Sequence, residues 1–254
     1  MVIHDVQEIN LIDINSSKKI LIMFPFAGGN SYSYQQLFTK FEPHFDIICP
    51  ELKGRGVYSD QEPITNINSL VDDLFDTWMS KIILSSDYVM YGHSMGALIC
   101  YLLCHRMMES KMKMPEKIII SGRGAPACVR EKITYNLADE EFKVELKKLG
   151  GVSDDVLNDN ELLEYFMPIL RADFEAVETY EHLAGKKLQI PVTVITGKDE
   201  QLSNAEILAW QDETENEVDF FQLEGDHFFI YSQLERLSSI VVSCVYSGCD
   251  LFTD

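Results

Sequence analysis

The chain has 254 residues, with 41 acidic against 21 basic side chains and a formal net charge of −20. Hydrophobic residues make up 46 % of the sequence, which is enough for a sizeable core and argues against an intrinsically disordered chain. The acidic balance argues against nucleic acid and anionic membrane surfaces as partners, because both are bound through basic patches.

The N-terminal residues 1–13 lack a basic segment followed by an apolar one, so we expect no signal peptide. The apolar runs are too short for a membrane span. Six cysteines occur without a C-x-x-C pair. We therefore expect a cytoplasmic monomer with reduced thiols.

The first predicted elements are an edge strand at residues 9–14 and a buried strand at residues 19–24. The buried strand leads into Phe24-Pro25-Phe26-Ala27-Gly28-Gly29-Asn30, a loop whose two glycines permit unusual backbone angles and free N–H groups. This loop is either an ordinary Gly-Gly turn or half of an oxyanion hole. A helix is predicted at residues 31–41.

A second buried strand is predicted at residues 45–50, followed by the loop at residues 52–56. Apolar residues at helical spacing then predict a helix from Ile67 to Ile82, with Trp78 in a structural role.

The central motif is Gly92-x-Ser94-x-Gly96, between an apolar strand at residues 87–91 and an apolar helix that ends near Met108. Such a strand–turn–helix lifts the serine hydroxyl clear of the sheet and aims the helix N-terminus at it. The alternative is a glycine-rich turn in another α/β protein. The flanking strand and helix favour a nucleophile.

After a strand at residues 117–121 the alternation of predicted strands and helices ends. Residues from about 126 to 187 are charged and mostly helical in pattern, with helices predicted at residues 140–149 and 159–183 around Gly150-Gly151. Such an insertion near the carboxyl ends of the strands is placed to cover a site as a lid. The alternative is a fixed second helical layer.

The alternation then resumes toward the C-terminus. Strands are predicted at residues 190–196 and 218–223, helices at residues 205–212 and 228–242, and a frayed tail at residues 248–254. The whole pattern predicts one α/β domain with a mainly parallel sheet covered by helices, and ligands at the carboxyl ends of its strands.

The candidate catalytic residues each follow a predicted strand. Ser94 needs an adjacent base, and His227 lies in a strand-exit loop late in the chain. Asp199 is the preferred carboxylate to orient His227, with Glu200 in reserve and Asp226 disfavoured because it adjoins the histidine. The order Ser–Asp–His is that of α/β-hydrolases.

The oxyanion of such a reaction would be held by the backbone N–H of Met95 and that of Phe26 or Ala27. The chemistry is acyl transfer to water, and it needs no cofactor and no metal. His93 is interpreted as a packing residue, because the turn directs its side chain away from Ser94.

Together these motifs resemble type II thioesterases, the stand-alone editing hydrolases of nonribosomal peptide and polyketide synthesis. The resemblance spans about residues 20 to 240 and rests on the following stretches: Phe24-Pro25-Phe26-Ala27-Gly28-Gly29, Gly54-Arg55-Gly56, Gly92-His93-Ser94-Met95-Gly96-Ala97, Ser121-Gly122-Arg123-Gly124-Ala125-Pro126, Arg171-Ala172-Asp173-Phe174 and Gly225-Asp226-His227-Phe228-Phe229. It implies an α/β-hydrolase fold, a mobile lid at about residues 126–187 and a triad of Ser94, Asp199 and His227. It also implies hydrolysis of acyl thioesters on the phosphopantetheine arm of an acyl- or peptidyl-carrier protein.

Two other functions remain open from the sequence: a carboxylesterase or lipase acting on free esters, and a catalytically silent binding protein of the same fold. Charge suggests where a carrier would dock. Residues 198–254 hold 13 acidic and 2 basic side chains, whereas basic residues near the strand ends lie elsewhere. Because carrier proteins are acidic, we expect docking on the side of the 126–187 segment, at the following cations: Arg55, Arg123, Arg130, Lys132, Lys143, Lys147 and Lys148.

Overall fold

The computed structural model describes residues 2–3, 5, 18–79, 87–128, 132–150, 159–183 and 185–247. Its core is a seven-stranded sheet in the order β1-β3-β2-β4-β5-β6-β7, with every neighbouring pair parallel. The strands are β1 (Val2–Ile3), β2 (Lys19–Phe24), β3 (Phe45–Ile48), β4 (Tyr88–His93), β5 (Ile118–Ser121), β6 (Val192–Gly197) and β7 (Val218–Leu223).

The parallel sheet confirms the predicted fold class, and β2 and β7 begin and end where the sequence places them. The edge strand predicted at residues 9–14 lies outside the described residues. The edge position observed is that of β1, which pairs with β3.

Helices cover both faces of this sheet. They are α1 (Gln35–Phe41), α2 (Ile67–Leu74), α3 (Met95–Glu109), α4 (Asp139–Leu149), α5 (Asn160–Glu178), α6 (Asn204–Leu208), α7 (Phe229–Ser232) and α8 (Leu234–Tyr246). The apolar stripe of α2 runs on into a π-helical turn, Phe75–Met79, and residues 80–82 of the predicted helix lie outside the described residues.

Alternation along β2 divides the core between the two faces. Ile20, Ile22 and Phe24 pack in the cluster that includes α2 and α3. Leu21 and Met23 pack in the other cluster, with α1 and α8. Because both faces are covered, the strand reads as a continuous apolar run, which is why it could be located from the sequence.

Between β5 and β6 the chain forms α4 and α5. These helices share an apolar cluster of their own, to which Phe142, Leu146, Leu170 and Phe174 belong, and Ala27 of the loop after β2 packs against it. The segment therefore contacts the carboxyl edge of the sheet. Its role as a lid stays a prediction.

No helix in the described part of the chain combines the length and the apolar character needed to cross a membrane. The thiols of Cys49, Cys100, Cys104 and Cys128 are free. Cys244 in α8 is disulfide-bonded, so the expectation of reduced thiols is wrong at this position.

Candidate active site

The turn between β4 and α3 carries Ser94 in a conformation that L-residues rarely adopt, with φ of 56° and ψ of −109°. Its backbone N–H donates to Ser121 O in β5 at 2.8 Å, which ties the turn to the neighbouring strand. The residue is 8 % exposed. Such strain is maintained only where the surrounding structure fixes it, as in the turn that presents a nucleophile.

Two glycines allow the turn to close. A Cβ on Gly92 would lie 2.0 Å from the Gly96 carbonyl oxygen, and a Cβ on Gly96 would lie 2.0 Å from Phe24 O. Neither position accepts any side chain without a shift of backbone. The end of β2 is therefore pressed directly against the start of the helix that follows Ser94.

The loop after β2 orients the peptide groups predicted to bind an oxyanion. Gly29 donates its N–H to Phe26 O at 2.9 Å. Since N–H and C=O point in opposite directions across a trans peptide, the Ala27 N–H points away from this turn. Met95 is the first residue of α3, so its N–H has no acceptor inside the helix.

His227, in the loop after β7, is held by a carboxylate. Its Nδ1 lies 2.6 Å from Glu200 Oε1, and the two side chains are only 11 % and 2 % exposed. The second oxygen, Glu200 Oε2, accepts the backbone N–H of Gly197 at 2.8 Å. One carboxylate thus fixes both the ring and the end of β6.

The carboxylate at His227 is therefore that of Glu200, the reserve candidate, and the sequence-based preference for Asp199 is corrected. Asp199 is exposed, and its backbone N–H donates to Gly225 O at 3.0 Å. Within the described residues the Asp199 carboxylate has no hydrogen bond or ion pair. Asp226 is also exposed, and its Oδ1 accepts the N–H of Phe228 at 2.9 Å.

His93 has the buried, packed position that the sequence suggested. It is fully buried, its Nδ1 lies 2.9 Å from Ser121 Oγ, and its ring centroid is 4.8 Å from that of His227. Burial, and then the proximity of His227, holds the pKa of His93 well below its usual value, so the ring is neutral.

Ring contacts bring the separate loops together. The Phe26 ring lies 6.0 Å from that of His93 and 5.0 Å from that of Phe228. The loop after β2, the turn at Ser94 and the loop after β7 therefore meet at one edge of the sheet, as parallel strands require. In the described ranges no group of three or more His, Cys, Asp and Glu side chains is arranged to hold a metal ion.

These parts amount to a strained serine, a buried histidine–carboxylate pair and a loop with oriented N–H groups. A model of the thioesterase domain matches residues 19–244. The chain belongs to the thioesterase family. This thioesterase is 31 % identical over 222 residues to the gramicidin S biosynthesis protein GrsT of Aneurinibacillus migulanus, and the alignment covers 86 % of each chain.

Solved structures agree with this assignment. ClbQ, from the colibactin nonribosomal peptide and polyketide pathway, superposes on the thioesterase with a TM-score of 0.84 and 28 % identity, covering 91 % of this chain and 98 % of ClbQ. BorB, a type II thioesterase of the borrelidin cluster, superposes with a TM-score of 0.81 and 28 % identity, covering 90 % of this chain and 93 % of BorB. The fold and the hydrolase class are therefore as predicted, and the esterase and silent-binder alternatives are not favoured.

Proposed function

We propose that this thioesterase uses Ser94, His227 and Glu200 to hydrolyse acyl thioesters on the phosphopantetheine arm of carrier proteins, as an editing enzyme of peptide or polyketide assembly. The observation that carries the catalytic part is the 2.6 Å contact between His227 and the buried Glu200. The relatives support the substrate: GrsT is named for gramicidin S biosynthesis, and ClbQ comes from a nonribosomal peptide and polyketide pathway.

In the first half of the reaction, Ser94 Oγ attacks the thioester carbonyl while His227 Nε2 takes the hydroxyl proton. Glu200 holds the ring by its other nitrogen and stabilises the imidazolium. The N–H groups of Met95 and of Phe26 or Ala27 bind the oxyanion. The C–S bond then breaks, His227 returns the proton to the departing thiolate, and the acyl group stays on Ser94.

In the second half, water enters where the thiol has left. His227 takes a proton from the water, the resulting hydroxide attacks the acyl-serine, and the same N–H groups bind the second oxyanion. Collapse breaks the ester bond, and the proton passes from His227 to Ser94 Oγ. The products are a free carboxylic acid, a carrier with a free thiol and the starting enzyme.

The structure narrows the set of cations available to an acidic carrier. Arg55 and Arg123 are only 3 % and 7 % exposed, so neither can serve as a docking residue, and Arg130 lies outside the described residues. Lys147 and Lys148 remain exposed in the last turn of α4, where Lys148 pairs with Glu145 at 2.9 Å. We therefore propose that the carrier protein docks on the side of α4.

Charge reversal tests the docking side. Lys147→Glu with Lys148→Glu should raise KM for an acyl-carrier substrate by roughly 10-fold and leave a small acyl thioester unaffected. The matched control reverses two exposed acids near β7, Glu215→Lys with Glu217→Lys. Glu213 is unsuitable as a control because it is buried and accepts from Tyr101 OH at 2.5 Å. If only the control pair changes carrier turnover, docking occurs at the other face.

The substrate class is tested with a panel of acyl-loaded carrier proteins, a matched acyl N-acetylcysteamine thioester and an acyl p-nitrophenyl ester. We expect kcat/KM to be highest for the carrier-bound thioesters. A preference for the soluble ester by an order of magnitude or more would instead indicate a general esterase and overturn the proposal.

A further inference from the structure

A buried ion pair joins two parts of the chain that the mechanism above does not use. Arg55 lies in the loop after β3 and Asp173 lies in α5, and their side chains are 3 % and 2 % exposed. Arg55 Nη1 donates a hydrogen bond to Asp173 Oδ2 and Arg55 Nη2 donates one to Asp173 Oδ1, both at 2.7 Å. This two-point geometry fixes the relative orientation of both groups.

Both partners also bond the backbone of the loop after β2. Gly28 donates its N–H to Asp173 Oδ2 at 2.7 Å, and Arg55 Nη1 donates to Gly29 O at 2.9 Å. The ion pair therefore holds one peptide group by its N–H and a nearby one by its C=O. Rotation of either peptide would break a charge-assisted bond in a site that excludes water.

The same helix presses on Gly28 through a second residue. Gly28 has φ of +77°, and a Cβ there would lie 2.3 Å from Leu170 Cδ2. Leu170 and Asp173 are three positions apart and so lie on one side of α5. Contact and hydrogen bond together leave the loop little freedom to change its peptide orientations.

The clamped peptides adjoin the N–H groups assigned to the oxyanion. Gly28 N–H and Ala27 C=O belong to one peptide, and the preceding peptide supplies the Ala27 N–H. A flip at Gly28 would also disturb the turn in which Gly29 N–H meets Phe26 O. The orientation of the Ala27 N–H is thus coupled to the contacts that Asp173 and Arg55 make.

We propose that Arg55 and Asp173 are positioning residues that keep the loop after β2 in its oxyanion-binding form, and that through them α5 controls the oxyanion hole. This inference rests on the proposed acyl-transfer site. A buried ion pair is in general a poor source of stability compared with apolar side chains of similar volume. The ion pair can, however, hydrogen-bond the N–H of one peptide and the C=O of another, which apolar side chains cannot do.

The inference predicts different effects on kcat and on KM. An oxyanion hole acts on the transition state, so loosening it should lower kcat and leave KM for a small acyl thioester nearly unchanged. Asp173→Asn and Arg55→Lys each keep the size of the side chain but lose part of the two-point contact. We expect each to lower kcat by roughly 10- to 100-fold, less than the loss of an entire oxyanion donor.

A matched control lies on the same helix. The Glu178 carboxylate also accepts two backbone N–H groups, from Thr134 at 2.7 Å and Tyr135 at 2.9 Å, but in a loop remote from Gly28 in sequence. Glu178→Gln removes a comparable anchor from α5. Its kcat should stay within about 2-fold of the wild-type value, and its stability loss should be smaller than that of Asp173→Asn, because Asp173→Asn leaves the buried Arg55 charge without its partner.

The decisive measurement is the affinity for an acyl trifluoromethyl ketone, which forms a tetrahedral adduct with the serine. In the Asp173 and Arg55 variants, this affinity should fall in proportion to kcat/KM, and in Glu178→Gln it should not change. If kcat and inhibitor affinity fall no further than in Glu178→Gln while both variants are fully folded at the assay temperature, the ion pair is purely structural and the inference is wrong.

Two further measurements keep the experiment interpretable. If both single variants fail to fold, the double variant Arg55→Met with Asp173→Leu replaces the ion pair by an apolar pair. A folded double variant with wild-type kcat would also overturn the inference. Failure of the proposed function appears separately, because Ser94→Ala would then retain turnover and the wild-type enzyme would not bind the ketone covalently.

Discussion

Replacing the Glu200 carboxylate by an amide tests the candidate site most directly. Glu200→Gln keeps the size of the side chain and one oxygen near His227 Nδ1, but it removes the negative charge that faces the imidazolium. The amide can also present its NH₂ group to the ring and so favour the wrong tautomer, with the proton on the nitrogen that must act as base. Asp199→Asn is the matched control one residue away.

The size of the effect follows from the geometry. With Nδ1 and Oε1 at 2.6 Å, the delocalised charges of ring and carboxylate are centred about 4 Å apart. At an effective dielectric constant of about 20, this pair is worth about 4 kcal/mol, or about three orders of magnitude in rate. We therefore expect Glu200→Gln to lower kcat by roughly 10³-fold. Asp199 faces water, so Asp199→Asn should change kcat by less than about 3-fold.

The assay is steady-state hydrolysis of a small acyl thioester, which removes carrier docking from the comparison. Proton NMR of the resting enzyme adds a structural readout: a far-downfield resonance from the His227 Nδ1–H should be retained in Asp199→Asn and lost in Glu200→Gln. A reversed ranking, with a large loss in Asp199→Asn and near-normal turnover in Glu200→Gln, would refute the assignment of Glu200 as the orienting acid.

Three further predictions concern the turn between β4 and α3. Ser94→Ala should lower kcat by roughly 10³-fold or more in a folded protein, and a fluorophosphonate should label Ser94 alone, as checked by mass spectrometry; labelling elsewhere would contradict the nucleophile. Because the pKa of His93 is depressed on folding, its contribution to stability is complete about one pH unit above 6.5 and is lost as pH falls through 6.5, since the unfolded chain then binds the proton. Urea unfolding should show that wild type loses roughly 1 kcal/mol more than His93→Gln between about pH 7.5 and pH 5.5, and equal losses would place the titration elsewhere. Gly96→Ala should reduce both soluble yield and turnover, because the new methyl group would meet Phe24 O at 2.0 Å; a normal melting temperature and rate would show that the turn can relax.

Local pattern was sufficient for strands β2 to β7 and for the strained turn that carries Ser94. A strand buried on both faces is a continuous apolar run, and the glycine–serine turn carries its own flanking strand and helix. The acid that contacts His227 was harder to identify, because Asp199 and Glu200 are adjacent and the turn after β6 decides which one points inward. Sequence alone does not fix how the chain turns after β6.

Residues that act across the chain could not be located from local pattern. Arg55 and Asp173 are 118 positions apart, and only the fold brings them together. One signal was present: Asp173 follows Leu170 on the apolar side of α5, where a charge must find a partner. The contact between His93 and His227 could not be located for the same reason, because His227 lies in the loop after β7.

The buried cysteines acquire a meaning from the chemistry of the substrate. A thioester passes its acyl group readily to any accessible thiolate, and the released arm is itself a thiol that can form mixed disulfides. Cys49, Cys100 and Cys104 are fully buried, and burial raises the pKa of each thiol well above its usual range. These sulfur atoms are protonated and buried, so they neither take up the acyl group of a thioester nor form a mixed disulfide with the released thiol.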